Sequence, residues 1–226
     1  MKTKLTWLEA FLVIAPFVIL AAFWNKIPER VPLHWNVDGQ IDRWGSKSSG
    51  MFLLPLISLA TIALLHFVPW LDPKLRRQLN WADRMGAVLP IFRILFAAFF
   101  LVVFLVVFGA TMGISISVGR IVVSSVLLLL AGIGNYLGNL KQNYFVGFRT
   151  PWTLESPATW RATHRLGGRL LFFGATALLI GEFFIPERVF VFFLAGGALL
   201  LVVWSFLYSW HHFRTCSAPN RASSST

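Results

Sequence analysis

From Ile94 to Gly109 the chain runs without one charged side chain and without the polar stripe that a surface helix of a soluble domain would carry. Such a run folds as a helix only where its whole circumference meets apolar surroundings. Six windows approach the roughly 20 mostly apolar residues that a bilayer-spanning helix needs. They are Trp7–Trp24, Met51–Trp70, Ala87–Met112, Ile121–Leu140, Gly167–Phe184 and Val189–Tyr208. Only 13% of the 226 residues are charged and 57% are hydrophobic, whereas soluble domains carry about a quarter charged residues. So few charges cannot cover a water-facing surface, but lipid needs none. The fold class expected is all-α: a polytopic membrane helix bundle of about six transmembrane helices.

Lys2 and Lys4 ahead of the first window resemble a signal peptide, but Ala21-Ala22-Phe23-Trp24 is a poor cleavage site and the window is long. It is read as an uncleaved first span. With six spans, 14 of the 20 Lys and Arg fall on the side shared by the N-terminus, the second and fourth loops and the C-terminus. The positive-inside rule then predicts both termini in the cytoplasm. The organisation expected is an N-terminal membrane region over 1–113, with an external loop 25–50 and a cytoplasmic loop 71–86. A second region covers 114–216 with a cytoplasmic loop 141–166, and a Ser-rich disordered tail follows at 217–226.

The net charge of +11 is spread over the ends of apolar runs rather than gathered in one basic segment, which argues against a nucleic-acid partner and for anionic lipid head groups. The single cysteine, Cys216, can form neither an intramolecular disulfide nor a multi-cysteine metal site, and no cofactor is expected. No nucleophile elbow, His-Glu-x-x-His, phosphate loop or cysteine pair is present, so the chain does not read as an enzyme.

The loop 141–166 is the most distinctive stretch. Pro151 stops any preceding helix and forces Thr150 to be extended. Ser156-Pro157 is a helix start, with Ser as N-cap and Pro at the first position. A helix from Pro157 sets Trp160 and His164 on one face and Arg161, Arg165 and Arg169 on a neighbouring stripe. Two readings stand: a helix start whose arginines snorkel to the head groups, or a recognition surface. The external loop has its own pattern. Asn36-Val37-Asp38-Gly39 reads as a turn with Gly39 at positive φ, flanked by Trp35 and Trp44. His34, Asp38 and Asp42 are spaced by four, as metal ligands on a helix would be, but the turn argues against one helical face and no metal is expected. Ile27-Pro28-Glu29-Arg30-Val31 recurs as residues 185–189, read as a common way to end a helix rather than a duplication.

The series Gly138-Asn139, Lys141-x-Asn143-Tyr144-Phe145-x-Gly147-x-Arg149-Thr150-Pro151-Trp152-Thr153-Leu154, Trp160-x-x-Thr163-His164-Arg165 and Gly167-Gly168 closely resembles the SdpI family of bacterial integral membrane proteins. Ile27-Pro28-x-x-Val31-Pro32-x-His34-Trp35 and Asp38-Gly39-x-x-Asp42-x-Trp44-Gly45 resemble the uncharacterised N-terminal domain common in that family. The resemblance implies a multi-pass membrane protein and immunity to a secreted killing peptide, with signalling through the cytoplasmic loop as an extension. A small transporter, or a scaffold for a cytoplasmic regulator, are the other functions weighed. The residues expected to bind a ligand or partner are Asn139, Lys141, Asn143, Arg149, Thr150, Pro151, Trp152, Trp160, Thr163, His164 and Arg165. His34, Asp38, Gly39, Asp42 and Trp44 would act in the external loop. Arg149 and Arg165 would take a phosphate head group, a carboxylate or a partner; Trp152 and Trp160 would anchor at the interface; Asn139 would fix a helix end.

Inside the spans, Gly134-x-x-x-Gly138 is a small-residue face that predicts close packing of the fourth and fifth spans. Asn135 and Asn139 either hydrogen-bond across that contact or line a polar cavity. Gly167, Gly174 and Gly181 suggest a second seam. Glu9 with Arg93, and Arg120 with Glu182, are candidate pairs near the two faces, and no ionisable group sits at mid-membrane.

Overall fold

The structure, a computed structural model, describes residues 6–36, 38–73 and 88–222, the side chains of Glu187, Arg188 and residues 217–222 excepted. Lys2, Lys4, Val37, most of the expected loop 71–86 and residues 223–226 lie outside the described residues.

The first helix, α1 (Trp7–Phe23), starts on a capping box. Thr6 Oγ1 accepts from Glu9 N, and Glu9 Oε2 accepts from Thr6 N, each at 3.1 Å. A short 3₁₀ turn, Trp24–Lys26, leads into β1 (Arg30–Trp35), which pairs antiparallel with β2 (Ile41–Ser46). Ser46 then caps α2 (Lys47–Leu71). The helices α3 (Val88–Thr111), α4 (Val118–Leu137), α5 (Pro151–Glu155), α6 (Pro157–Gly181) and α7 (Glu187–Ala222) complete the chain.

The bundle is helical as expected, but the stretch expected to be an external loop is a β-hairpin. Its turn is built by Asn36, whose side-chain oxygen accepts from Asp38 N at 2.9 Å and Gln40 N at 3.0 Å, while Gly39 takes φ 73°. The register slips between Pro32 and Trp35, where proline cannot donate to the ladder. Val31 anchors the hairpin in a core cluster with Leu20, Ile27, Met51 and Phe104. The two copies of Ile-Pro-Glu-Arg-Val lead into different elements, the first into β1 and the second into α7. The last helix runs on to Ala222, past the Ser217 where a disordered tail is expected from composition.

Among the described residues, five helical segments are long and apolar enough to cross a membrane: Trp7–Lys26, Lys47–Leu71, Val88–Thr111, Val118–Leu137 and Val189–Cys216. The remaining long helix, α6, has 25 residues, but its first half carries Arg161, Arg165 and Arg169. The apolar window Gly167–Phe184 overlaps only its later part. It nevertheless runs beside α4 over nearly all of that helix, and these two make the most extensive contact in the bundle.

Small residues make this contact possible, as the Gly134-x-x-x-Gly138 pattern predicts. A Cβ on Gly134 would lie 2.6 Å from Phe172 N and 2.8 Å from Gly168 O. The seam expected from Gly167, Gly174 and Gly181 does not form. Gly167 faces Phe148 and Trp204, Gly174 meets nothing within 4 Å, and Gly168 is the residue that meets α4.

The elements define two ends. At one, the hairpin lies over the α4 N-terminus and the turn between α6 and α7. At the other, the α1, α3 and α6 starts gather with the α2, α4 and α7 ends around the segment 138–156.

Candidate functional site

At the second end, the chain after α4 is held by side chains rather than by regular secondary structure. Asn143 is buried: its amide donates to Lys141 O at 2.8 Å and Val146 O at 3.0 Å, and its oxygen accepts from Phe145 N and Val146 N. Arg149 donates to Tyr144 O at 2.8 Å but is otherwise exposed. Gly147 takes φ 112°, and a Cβ there would collide with the His164 ring. This close approach brings the Phe148 N–H onto His164 Nε2 at 2.9 Å. The other ring nitrogen, Nδ1, lies 2.8 Å from Trp160 O. The first bond requires an unprotonated Nε2, so the ring is neutral with its proton on Nδ1.

Thr150 caps α5 in a capping box with Thr153, and its hydroxyl lies 2.8 Å from Ser209 Oγ on α7. Pro151 opens α5 as its first residue. Trp152 packs edge-on to Phe206, with ring centroids 4.8 Å apart. Thr163 is fully buried and its hydroxyl has no hydrogen bond among the described residues. Trp160 does not anchor at an interface. It is 1% exposed, stacks on His164, and its indole N–H donates to Leu140 O at 2.7 Å. That carbonyl follows the last turn of α4 and lacks an intrahelical donor, so the indole satisfies it.

The expected segment therefore divides. Asn143, Thr150, Trp160, Thr163 and His164 form its interior, while Asn139, Lys141, Arg149 and Arg165 are exposed. Other interior positions went unnoticed in the sequence. Asp72 is fully buried and accepts from Tyr144 N at 2.6 Å, tying the end of α2 to this segment. Gln142 donates to Thr153 O and Leu154 O, and Thr159 Oγ1 lies 3.2 Å from His212 Nδ1. The Thr150-x-x-Thr153 spacing could have revealed the cap; nothing local marks Gln142, Ser209 or His212.

His164 lies ahead of Gly167, where the apolar window opens. Burial lowers its imidazole from the ordinary 6.5 to about 4, against the bond to Trp160 O, which raises it. A group whose folded pKa is depressed contributes stability that is present above 6.5 and lost as pH falls toward 4. The expected loss is about 3 kcal/mol across that window. Thermal unfolding in detergent, compared between wild type and His164→Gln, should show a slope between pH 7 and pH 4 that the variant lacks. Equal slopes would mean that the ring is not the titrating group.

At the hairpin end, His34 Nδ1 lies 2.6 Å from Asp42 Oδ1 across the two strands, both partly exposed. Asp38 is at the turn, engaged through its backbone with Asn36, and Trp44 is exposed on β2. No group of three or more His, Cys, Asp or Glu among the described residues is placed to hold a metal ion.

Beneath the hairpin lies a cavity of about 200 Å³ lined by Trp35, Asn36, Arg120, Val123, Glu182 and Phe190, among others. Glu182 is 4% exposed. One carboxylate oxygen accepts from Ser124 Oγ, and the other has no hydrogen bond among the described residues. Arg120 and Glu182 thus share a cavity wall, but the hydrogen bond to Glu182 comes from Ser124. One turn further along α4 and α7, an apolar groove of about 580 Å³ continues between α4, α6 and α7, past Leu127, Ala175 and Leu194.

Comparison with known proteins matches residues 139–209 to the SdpI/YfhL protein family and residues 11–59 to a domain of unknown function, DUF1648. The chain is similar to a Bacillus subtilis (strain 168) protein, "Immunity protein SdpI", at 21% identity over 207 residues, covering 92% of this chain and 95% of that protein. No solved structure matches. These matches and the apolar helices make this a multi-pass bacterial membrane protein.

Proposed function

We propose, from the match of residues 139–209 to the SdpI/YfhL family and the likeness to an immunity protein, that this chain shields its cell from a secreted membrane-active peptide by binding that peptide at the hairpin end. In this reading the apolar later part of α6 is a sixth crossing, and Arg161, Arg165 and Arg169 on its earlier turns lie at the cytoplasmic head groups. Both termini are then cytoplasmic, and the hairpin faces outward, where a secreted peptide arrives. The protein binds and blocks, and no catalytic step is involved.

The observation that carries the reading is Glu182. A buried carboxylate with one oxygen unsatisfied is costly, and a donor from a ligand would relieve that cost. A cavity of about 200 Å³ takes the end of a lysine side chain or a peptide N-terminus. The apolar groove below it suits the apolar part of the same peptide, so one occupant would satisfy both features.

The test is survival of a sensitive bacterial strain expressing wild type or Glu182→Gln, challenged with a panel of membrane-active killing peptides and matched for membrane abundance. Gln keeps an acceptor for Ser124 but removes the charge. The expected result is protection by wild type and roughly tenfold less protection by the variant, the scale of one lost charge-assisted hydrogen bond. Equal protection by both would remove Glu182 from the site. No protection by wild type against any peptide would count against the immunity reading itself.

A further inference from the structure

The strongest unassigned feature lies on the opposite end, between α4 and α6. Asn135 stands in the last turn of α4 and Asn139 just past its end, while Arg165 and Arg169 stand one turn apart on α6. All four are exposed and line one cleft of about 390 Å³. None of their side chains has a hydrogen bond or ion pair with any described residue. Two cations and two amides converge on this space, and no acidic residue among the described ones lines it.

The cleft owes its form to the close approach of Gly134 and Gly168. With the two backbones in contact, side chains from neighbouring turns reach over a shared gap rather than away from each other. Phe172 and Phe173, further along α6, also line it, and Phe173 is largely exposed. The cleft is therefore polar and cationic at one end and apolar at the other. That gradient follows the helix from the arginines toward the middle of the bundle.

We infer that this cleft is a binding site for the head group of an anionic phospholipid, with Arg165 and Arg169 on the phosphate, Asn135 and Asn139 donating to its remaining oxygens, and an acyl chain along Phe172 and Phe173. A soluble anion would gain nothing from the aromatic wall. A zwitterionic lipid would bring its own cation beside two guanidinium groups. Basic clefts between membrane helices near the cytoplasmic face are known to suit anionic head groups. The inference needs the membrane setting but not the immunity function.

The test uses the full chain purified in a neutral detergent. Its thermal stability is measured with short-chain phosphatidylglycerol, short-chain phosphatidylcholine or inorganic phosphate added, and co-purified lipid is identified by mass spectrometry. Phosphatidylglycerol is expected to stabilise wild type at concentrations where the other two do not. Arg165→Gln with Arg169→Gln should bind it roughly thirtyfold more weakly, from the contribution of two arginines near a charged surface. Asn135→Leu with Asn139→Leu should also weaken it, while Arg161→Gln, outside the cleft, should not. Equal stabilisation by phosphatidylcholine, a matching effect of phosphate alone, or unchanged phosphatidylglycerol binding in the arginine variant would each overturn the inference.

Discussion

Replacing Arg93 by Met is expected to cost about 3–5 kcal/mol of stability, the largest effect of any single substitution considered, because it strands a buried carboxylate. Glu9 and Arg93 are both 0% exposed, with Arg93 Nε 2.5 Å from Glu9 Oε1 and Nη2 3.4 Å from Oε2. The pair joins the first turn of α1 to the second turn of α3 across 84 positions of sequence. Removing one partner leaves the other charged where water cannot reach it. Removing both charges should be far milder. Gln in place of Glu9 keeps the capping box with Thr6, and Met in place of Arg93 keeps much of the packed volume. The Glu9→Gln, Arg93→Met double variant is therefore expected within about 1–2 kcal/mol of wild type. Thermal unfolding and membrane abundance of the four proteins would form a double-mutant cycle. A single variant as stable as wild type, or a double variant worse than either single, would show that the pair does not hold the two helices together.

That pair was legible in the sequence because charges are so rare in the apolar windows that each one asks for a partner. The helices were legible for the same reason, from length and apolarity alone. The hairpin was not. Pro32 inside the first strand and the exposed Leu33, Ile41 and Trp44 break the alternation that marks a half-buried strand. Trp160 misled in a different way. A tryptophan just after a Ser-Pro helix start, ahead of an apolar run, fits an interfacial anchor by pattern. Its partner, the Leu140 carbonyl, is set by the α4–α6 contact, which no local pattern encodes. Asp72 is similar: it caps α2 through its backbone, but its carboxylate serves Tyr144, 72 positions later. The glycine seam failed by a single residue. Gly167 and Gly168 differ by about 100° around the helix, so choosing the wrong one turns the predicted face from α4 toward Phe148 and Trp204.

The same geometry gives three alanine substitutions, two of one sign and one of the other. Gly134→Ala should destabilise the protein by about 3 kcal/mol, at the upper end of overpacking effects, because the new Cβ meets backbone atoms that cannot rotate away. Its neighbours would be Phe172 N at 2.6 Å and Gly168 O at 2.8 Å, so α4 and α6 must separate. Gly168→Ala meets Gly134 O at 2.7 Å and should behave alike. Gly174→Ala, on the same helix as Gly168 but with nothing within 4 Å, should stabilise by about 0.5–1 kcal/mol through helix propensity. Measured side by side by thermal unfolding in detergent, the three separate close packing from propensity. If Gly134→Ala gained stability as Gly174→Ala does, the two helices would not be in backbone contact. The cleft that Asn135, Asn139, Arg165 and Arg169 share would then lose its physical basis, since it exists only where those backbones touch.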